Sequence, residues 1–130
     1  MMKKIACWIL CKSIAPLVKV GFSSASWYGT YESGKDAIFI NVNDRTPAFM
    51  EHLKNVHEFN NADNYSETLW TALHEMGHHF TYDFCEPVEK LPEDTEEYYN
   101  SEIEWEATEW AMRFVISHRT LCKFFNLFMK

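Results

Sequence analysis

The spacing of apolar residues changes several times along the chain, and each change predicts a different structural element. Residues 3–15 predict a short helix that ends at Pro16, because the residue before a proline is driven out of the α region. Three runs rich in β-branched and aromatic residues follow, separated by turn sequences, and they predict a three-stranded antiparallel meander. These runs are PLVKVGFSS, SWYGTYES and KDAIFINVN, within residues 16–43.

Helical spacing dominates the rest of the chain. Thr46 is predicted to cap a helix that reaches about Phe59. Asn64 and Glu67 have the spacing of a capping box, which predicts a second helix over about residues 66–82.

A second capping box, formed by Ser101 and Glu104, predicts another helix that reaches about His118. The final segment, TLCKFFNLFMK, predicts a last helix packed by its phenylalanines. The apolar stripe of the helix before it is expected at Ile103, Ala107, Trp110, Ala111 and Phe114. The sequence therefore predicts a single α+β domain over residues 1–130, with a small three-stranded antiparallel sheet packed on a helical bundle.

Composition narrows the class of protein. Hydrophobic residues make up 47 % of the chain, which is typical of a folded globular protein. The chain has 12 basic and 19 acidic residues and a net charge of −7, and it lacks a cluster of Lys and Arg, so no direct nucleic-acid partner is expected. No run of about 18 apolar residues exists, so no membrane partner is expected either.

The cysteines Cys7, Cys11, Cys85 and Cys122 form no CxxC pair and no dense framework. The apolar run near the N-terminus is short for a signal peptide and is interrupted by Lys12. Together these features predict a cytoplasmic protein with reduced thiols.

The segment TALHEMGHHF carries the chemistry that the sequence suggests most strongly. Residues four apart lie about 40° apart around a helix, so His74 and His78 share a face and can reach one metal ion. Glu75 lies about 60° from His78 around the helix, where a carboxylate can accept a proton from water activated by a zinc ion. The opposite face is an apolar stripe of Leu69, Ala72, Leu73, Met76 and Phe80.

Gly77 and His79 belong to the same helix but are expected to have roles other than binding the metal. A glycine inside a helix costs about 1 kcal/mol relative to alanine, so Gly77 is expected to allow another backbone to approach closely. His79 points away from the direction of His74 and His78, and it is expected to play a structural or supporting role.

A third metal ligand must come from elsewhere, because no further histidine follows at the short spacing HExxHxxGxxH. Glu102, Glu106 and Glu109 lie on one stripe of a later helix, where like charges are unfavourable without a nearby cation. The alternative is a solvated acidic face that Arg113 compensates. Glu106 is the preferred ligand, because it adjoins Ala107 on the expected buried stripe and lies in the middle of the helix.

The segments HEMGHHF and EWEATEWAMRFVIS together resemble the ImmA/IrrE metallopeptidases, in which a HELGH helix is followed by an E-x-E-A-N-x-F-A helix. DAIFINVN is similar to the strand that precedes the HELGH helix in that family. Thr108 stands where the family usually has asparagine, Trp110 where it has phenylalanine, and Ser117 where it has proline. The resemblance implies a minimal zincin-like fold and a regulatory protein substrate, such as a repressor or an antitoxin. It also implies a site made of the zinc ligands His74, His78 and Glu106 and the general base Glu75.

The leading functional hypothesis is a zinc endopeptidase with one ion, and its partner is a protein or peptide substrate. The segment Asp36 to Val42, as a sheet edge, would pair with an extended substrate. The candidate oxyanion donors are Tyr65, Tyr82, Tyr98 and Tyr99.

The alternative is a non-catalytic zinc-binding regulatory or interaction protein, with a fourth ligand from Glu102, Glu109 or His79. In that case the C-terminal side chains Phe124, Phe125, Phe128 and Met129 would form a partner surface, although core packing is the simpler expectation. The remaining histidines, His52, His57 and His118, are expected to lie at the surface or in packing contacts.

Overall fold

The computed structural model of the protein describes residues 2–22, 29–42, 48–59, 62–82, 97 and 100–129, and in this part of the chain five helices accompany one three-stranded sheet. Helices α1 to α5 span Met2–Ile14, Ala48–Asn55, Glu67–Thr81, Glu102–Ser117 and Arg119–Met129. Strands β1 to β3 span Lys19–Phe22, Gly29–Glu32 and Ala37–Ile40. The predicted mixed α+β class is confirmed, and helix predominates.

The sheet has the order β1-β3-β2, and the predicted antiparallel meander is wrong. Strands β2 and β3 pair antiparallel across a short 3-10 turn at Ser33–Lys35, but β1 pairs parallel to β3 on its other side. The reason lies in the composition of β3, AIFI, in which Ala37, Ile38 and Ile40 are all buried. The most apolar strand takes the centre of the sheet, where both of its edges are paired.

Helix α3 runs through the centre of the protein. Its residues from Thr68 to Gly77 are all buried, and so is His78. The predicted core stripe is confirmed at Leu69, Ala72, Leu73 and Met76, which are fully buried, whereas Phe80 is 39 % exposed and lies outside the core. Strand β3 and helices α1, α4 and α5 all pack around α3.

The start of α3 is fixed from two sides. Its N-cap is Ser66, whose Oγ accepts a hydrogen bond from the backbone N–H of Leu69 at 3.2 Å. The backbone N–H of Ser66 donates to the side chain of Asn126 on α5 at 2.7 Å, and that side chain donates to the carbonyl of Asn64. The predicted bounds of the helix are therefore nearly correct, but the cap is Ser66, not Asn64.

Helices α3 and α4 cross at Gly77. A Cβ at this position would lie 2.4 Å from the carbonyl oxygen of Ala107 and 2.9 Å from its Cα. Only glycine allows the two backbones to come this close, which confirms the close approach expected at Gly77. This contact sets the position of the first turns of α4 against the second half of α3.

Helix α5 divides its apolar residues between two faces. Phe125 and Met129 are buried in the core, whereas Phe124, Leu127 and Phe128 are exposed. The prediction that the phenylalanines pack this helix is thus right for Phe125 only. In the described ranges, none of the helices combines the length and the hydropathy that crossing a membrane would require.

Candidate metal centre

Helices α3 and α4 bring His74, His78 and Glu104 together in the protein interior. Nε2 of His74 lies 2.9 Å from Oε1 of Glu104, and Nε2 of His78 lies 3.0 Å from Oε2 of the same carboxylate. The two imidazole rings meet edge to face, with centroids 4.7 Å apart and an interplanar angle of 87°. All three residues are buried, and their ligand atoms lie within 4.8 Å of one another, so this group could hold a metal ion.

The carboxylate at the two histidines belongs to Glu104, and the prediction of Glu106 in this position is corrected. Residues two apart lie about 200° apart around a helix, so the two carboxylates leave α4 on nearly opposite sides. The buried residues of α4 are Glu104, Ala107, Thr108, Ala111, Met112 and Val115. This stripe is rotated from the predicted one, because the small residues Ala107, Thr108 and Ala111 allow a closer approach to α3 than the large residues do.

The large aromatic residues of α4 pack at the flank of the α3–α4 contact. Trp110 is only partly buried and stacks on Phe80, with ring centroids 5.1 Å apart. Phe114 continues the stack with a centroid distance of 5.3 Å to Trp110. The apolar stripe predicted from these two aromatic residues therefore describes the flank of α4, not the face that meets α3.

The other acidic candidates lie outside the group of three. Glu102 is exposed, and Oε1 of Glu109 lies 3.4 Å from Nδ1 of His57. His79 also lies outside it: its Nδ1 is 2.5 Å from Oδ1 of Asp36, next to the turn between β2 and β3. Asp36 adopts a positive φ of 49°, a conformation that aspartate tolerates better than most residues. His79 thus connects the sheet to α3, in agreement with the structural role expected for it.

The hydroxyl of Thr108 lies within hydrogen-bonding distance of Nδ1 of His74. Its Oγ1 lies 3.1 Å from Nδ1 of His74, and both groups are buried. A histidine that binds a metal through Nε2 carries its proton on Nδ1, and a hydrogen bond at Nδ1 fixes both this tautomer and the ring orientation. A hydroxyl oxygen can accept a hydrogen bond from that N–H, so Thr108 suits the supporting role although it stands where the resemblance leads one to expect asparagine.

Glu104 and His78 shift each other's pKa. Burial alone would raise the pKa of Glu104, but the charge of His78 and the hydrogen bonds from both histidines hold it far below its ordinary value. Burial alone would lower the pKa of His78, but the charge of Glu104, its hydrogen bond and the charge of Glu75 raise it instead. Without a metal ion, the site therefore favours an ionised carboxylate beside a protonated His78.

The donor set suits a zinc ion. A tetrahedral zinc centre with bonds of about 2.0–2.2 Å places neighbouring ligand atoms about 3.3 Å apart. The two histidine nitrogens lie 2.9 and 3.0 Å from different oxygens of Glu104, and the ligand atoms of the group lie within 4.8 Å of one another, so small side-chain shifts would bring them around one ion. Two imidazole nitrogens and one carboxylate oxygen form a common zinc ligand set. Nδ1 of His78 is buried and has no hydrogen-bond partner among the described residues.

Glu75 is buried next to His74 in the sequence of α3. It is 4 % exposed, and its charge contributes to raising the pKa of His78. The pKa of the Cys11 thiol on α1 is raised by burial first, then by Cys7 and by Glu75. The charge of Glu75 therefore acts on His78 and on the Cys11 thiol of α1.

Strand β2 contributes an aromatic residue that sequence reasoning missed. The ring of Tyr31 stacks on that of His78 with centroids 6.1 Å apart, and it also contacts the ring of Tyr82 at 5.6 Å. Among the predicted oxyanion donors, Tyr82 thus lies on the site's side of the protein, whereas Tyr65 packs against Trp70 at the start of α3. Tyr98 and Tyr99 lie outside the described residues.

Two further histidines meet on the other side of Glu104, although their spacing of five residues argued against a shared face. The rings of His52 and His57 lie 5.0 Å apart, and the ring of His57 packs against that of Trp105 at 3.8 Å. Burial, then the neighbouring His57 and His74, lower the pKa of His52 to about 4. The irregular turn after α2, which includes Glu58 with a φ of 58°, returns the chain to this position.

The fold and the site define an α+β protein with a buried His-His-Glu group that could hold a metal ion. Comparison of the chain with protein-family models, curated proteins and solved structures gave no match.

Proposed function

We propose that the protein is a zinc-dependent endopeptidase, with His74, His78 and Glu104 as the metal ligands. The observation that carries the proposal is the convergence of both Nε2 atoms of the HEMGH segment on one buried carboxylate. The likeness of that segment and of α4 to the ImmA/IrrE metallopeptidases supports the same reaction. It also favours a regulatory substrate, such as a repressor or an antitoxin.

A zinc ion bound there would act as a Lewis acid towards the substrate carbonyl and would lower the pKa of water. Glu75 then has the role of general base: its carboxylate takes the proton of the attacking water and delivers it to the nitrogen of the leaving amine. Thr108 acts as a positioning residue, because its hydroxyl keeps the proton of His74 on Nδ1 and leaves Nε2 free for the metal.

The substrate is expected to bind along β2. The predicted substrate strand, from Asp36 to Val42, contains β3, which lies in the centre of the sheet with both edges paired. Strand β2 is an edge strand in the described part of the sheet, and its Tyr31 reaches the ring of His78. An extended peptide that adds to this edge would pass close to the metal ligands.

Paired substitutions test the ligand set. Glu104→Gln is expected to abolish stoichiometric zinc binding, measured by elemental analysis after dialysis. Glu106→Gln, on the opposite side of α4, is the matched control and is expected to retain the metal. Zinc retained by Glu104→Gln and lost by Glu106→Gln would refute the assignment of the third ligand.

A second pair of measurements tests catalysis. Zinc-loaded protein is expected to cleave members of a random peptide library, with products identified by mass spectrometry. Glu75→Gln should keep its zinc and lose the cleavage. Cleavage at the wild-type rate by Glu75→Gln would overturn the mechanism.

The burial of the three ligands, each 7 % exposed or less, supports a second candidate, in which the same residues hold a structural zinc in a regulatory or interaction protein. Zinc binding that requires Glu104, together with no cleavage of any library peptide, would favour this second candidate over the peptidase.

A further inference from the structure

The exposed apolar side chains of the protein are concentrated on α1, α5 and the turn after α1. Eight of the twelve large apolar side chains that are exposed among the described residues lie there. They are Met2, Ile5, Trp8, Ile9, Leu17, Phe124, Leu127 and Phe128. Helix α1 packs against α5, so the two helices are neighbours. We call the surface formed by these eight side chains the α1–α5 face.

The spacing on each helix places its exposed apolar residues on one side. On α1, Met2, Ile5 and Ile9 follow one another at intervals of three and four residues, and on α5, Leu127 and Phe128 lie three and four residues after Phe124. The opposite sides of both helices are already buried in the core, through residues such as Leu10 and Phe125. The exposed apolar residues are therefore in excess of those that the core requires.

Charge is segregated in the same way. Residues 1–31 and 110–130 contain eight of the 12 basic residues and none of the 19 acidic ones, all of which fall between Glu32 and Glu109. The exposed cations Lys4, Arg119 and Lys123 lie on α1 and α5, and they form no ion pair with any residue that the structure describes. A chain with a net charge of −7 thus carries a face that is cationic and apolar.

We propose that the α1–α5 face binds the surface of an anionic lipid bilayer. Helices with large apolar side chains between Lys and Arg lie in the interface of anionic membranes, where the apolar groups enter the acyl boundary and the cations meet the lipid phosphates. Trp8 has the side chain that is most typical of this depth. Binding at the surface needs no spanning helix, so the proposal is compatible with the lack of a spanning helix among the described residues.

The shape of the face favours a bilayer over the other occupants. Leu17 is 90 % exposed and projects from the turn, so it can enter lipid directly, whereas a protein partner would need a matching pocket. A second copy of the chain, related by a twofold axis, would place this cationic face against an identical cationic face. The negative charge of the rest of the protein is screened beyond about 10 Å at 0.1 M ionic strength, so only the orientation with this face towards the lipid is attractive.

Flotation of the purified full chain with vesicles tests the proposal. The protein is expected to float with vesicles of phosphatidylcholine mixed with phosphatidylglycerol, and to stay behind with phosphatidylcholine alone. Binding should weaken as salt is raised, because the cations contribute through screened charges. No flotation with the mixed vesicles, or equal flotation with both kinds, would overturn the proposal.

Variants locate the surface. Lys4→Gln with Lys123→Gln is expected to weaken binding by about fivefold for each charge removed, and Trp8→Gln with Phe124→Gln should weaken it at least as much. All four side chains are exposed, and unchanged circular dichroism would show that the fold is intact. Lys35→Gln and Val56→Gln remove an exposed lysine and an exposed apolar residue outside the face, and they should bind like the wild type.

Equal losses in the face variants and in the control variants would refute the assignment of the surface. Sedimentation equilibrium without lipid tests whether a second copy of the chain covers the face instead. A dimer that Trp8→Gln dissociates would show that a second copy covers the face, and it would also overturn the lipid proposal.

Discussion

Helices α3 and α4 cross at Gly77, and the absence of a Cβ there lets α4 approach closely enough to place Glu104 at the two histidines. In Gly77→Ala, the added Cβ would lie 2.4 Å from the carbonyl oxygen of Ala107, which is about 1 Å short of the 3.4 Å at which ordinary contact begins. The obstacle is backbone, so a side-chain rotation cannot relieve the clash. Helix α4 must move away from α3 by about that amount.

The expected effect on stability follows from two opposing contributions. Alanine is favoured over glycine inside a helix by about 1 kcal/mol. Overpacking a close contact costs about 1–3 kcal/mol, and a backbone clash belongs at the upper end of this range. Gly77→Ala is therefore expected to lower the free energy of unfolding by about 2 kcal/mol, measured by chemical denaturation with circular dichroism.

The expected effect on the site is larger. A movement of α4 by about 1 Å lengthens the contacts of Glu104 with His74 and His78 from 2.9 and 3.0 Å to about 4 Å, beyond hydrogen-bonding distance. Zinc affinity, measured by competition with a chromophoric chelator, should then fall by more than the 10–100-fold that is typical of losing a supporting hydrogen bond.

Gly34→Ala is the matched control, because a Cβ at Gly34 has nothing within 4 Å. It should leave both the stability and the zinc affinity close to those of the wild type. A Gly77→Ala protein that is as stable as the Gly34→Ala protein would refute the close crossing, whether or not zinc binds.

Three other predictions concern single side chains. Thr108→Val keeps the shape of the side chain but removes its hydrogen bond, and it should lower zinc affinity by about 10–100-fold, whereas the exposed Thr120→Val should not. His52 takes up a proton in the folded state only near pH 4, against 6.5 for the ordinary group, so acidification between these values favours the unfolded state. Denaturation midpoints should accordingly fall from pH 6.5 to 4, and His52→Gln should flatten this slope while the exposed His118→Gln leaves it unchanged; a wild-type slope in His52→Gln would contradict the assignment. Burial raises the pKa of the Cys122 thiol to about 11, so alkylation at pH 8, followed by mass spectrometry, should label this cysteine in denaturant but not in the folded protein.

The predictions from the sequence were most accurate for features that depend on the geometry of a single helix. The spacing of His74 and His78, the core stripe beginning at Leu69 and the close approach at Gly77 all depend on the geometry of a single helix, and each agrees with the structure. Local periodicity is sufficient for such features, because an α-helix has one geometry.

The third residue of the group is not the one predicted, because the sequence pattern places Glu104 in a capping box with Ser101. In the structure Ser101 makes no side-chain cap hydrogen bond, and Glu104 turns to the histidines instead. One signal in the sequence could have found it: Glu104 lies three and four residues before Ala107 and Thr108, on the stripe of small residues that allows close helix packing. The large side chains at Trp110 and Phe114 drew the predicted stripe to the wrong face.

The sheet order could not be predicted from local patterns. The three runs were located correctly, but the parallel pairing of β1 with β3 depends on which strand is most apolar and on the packing of α1. The approach of His57 to Trp105 depends likewise on a turn with positive φ at Glu58, which no helical or strand period describes.

The hydroxyl of Thr108 can form a hydrogen bond with His74 in either tautomer of the imidazole ring. When Nε2 of His74 carries the proton, it donates a hydrogen bond to Glu104 and the Thr108 hydroxyl can donate to Nδ1; when the proton is on Nδ1, the same hydroxyl oxygen can accept a hydrogen bond from it. An asparagine could do the same only by rotating its amide. Binding and release of a metal at this group would therefore require the transfer of protons but no change of rotamer at Thr108 of α4.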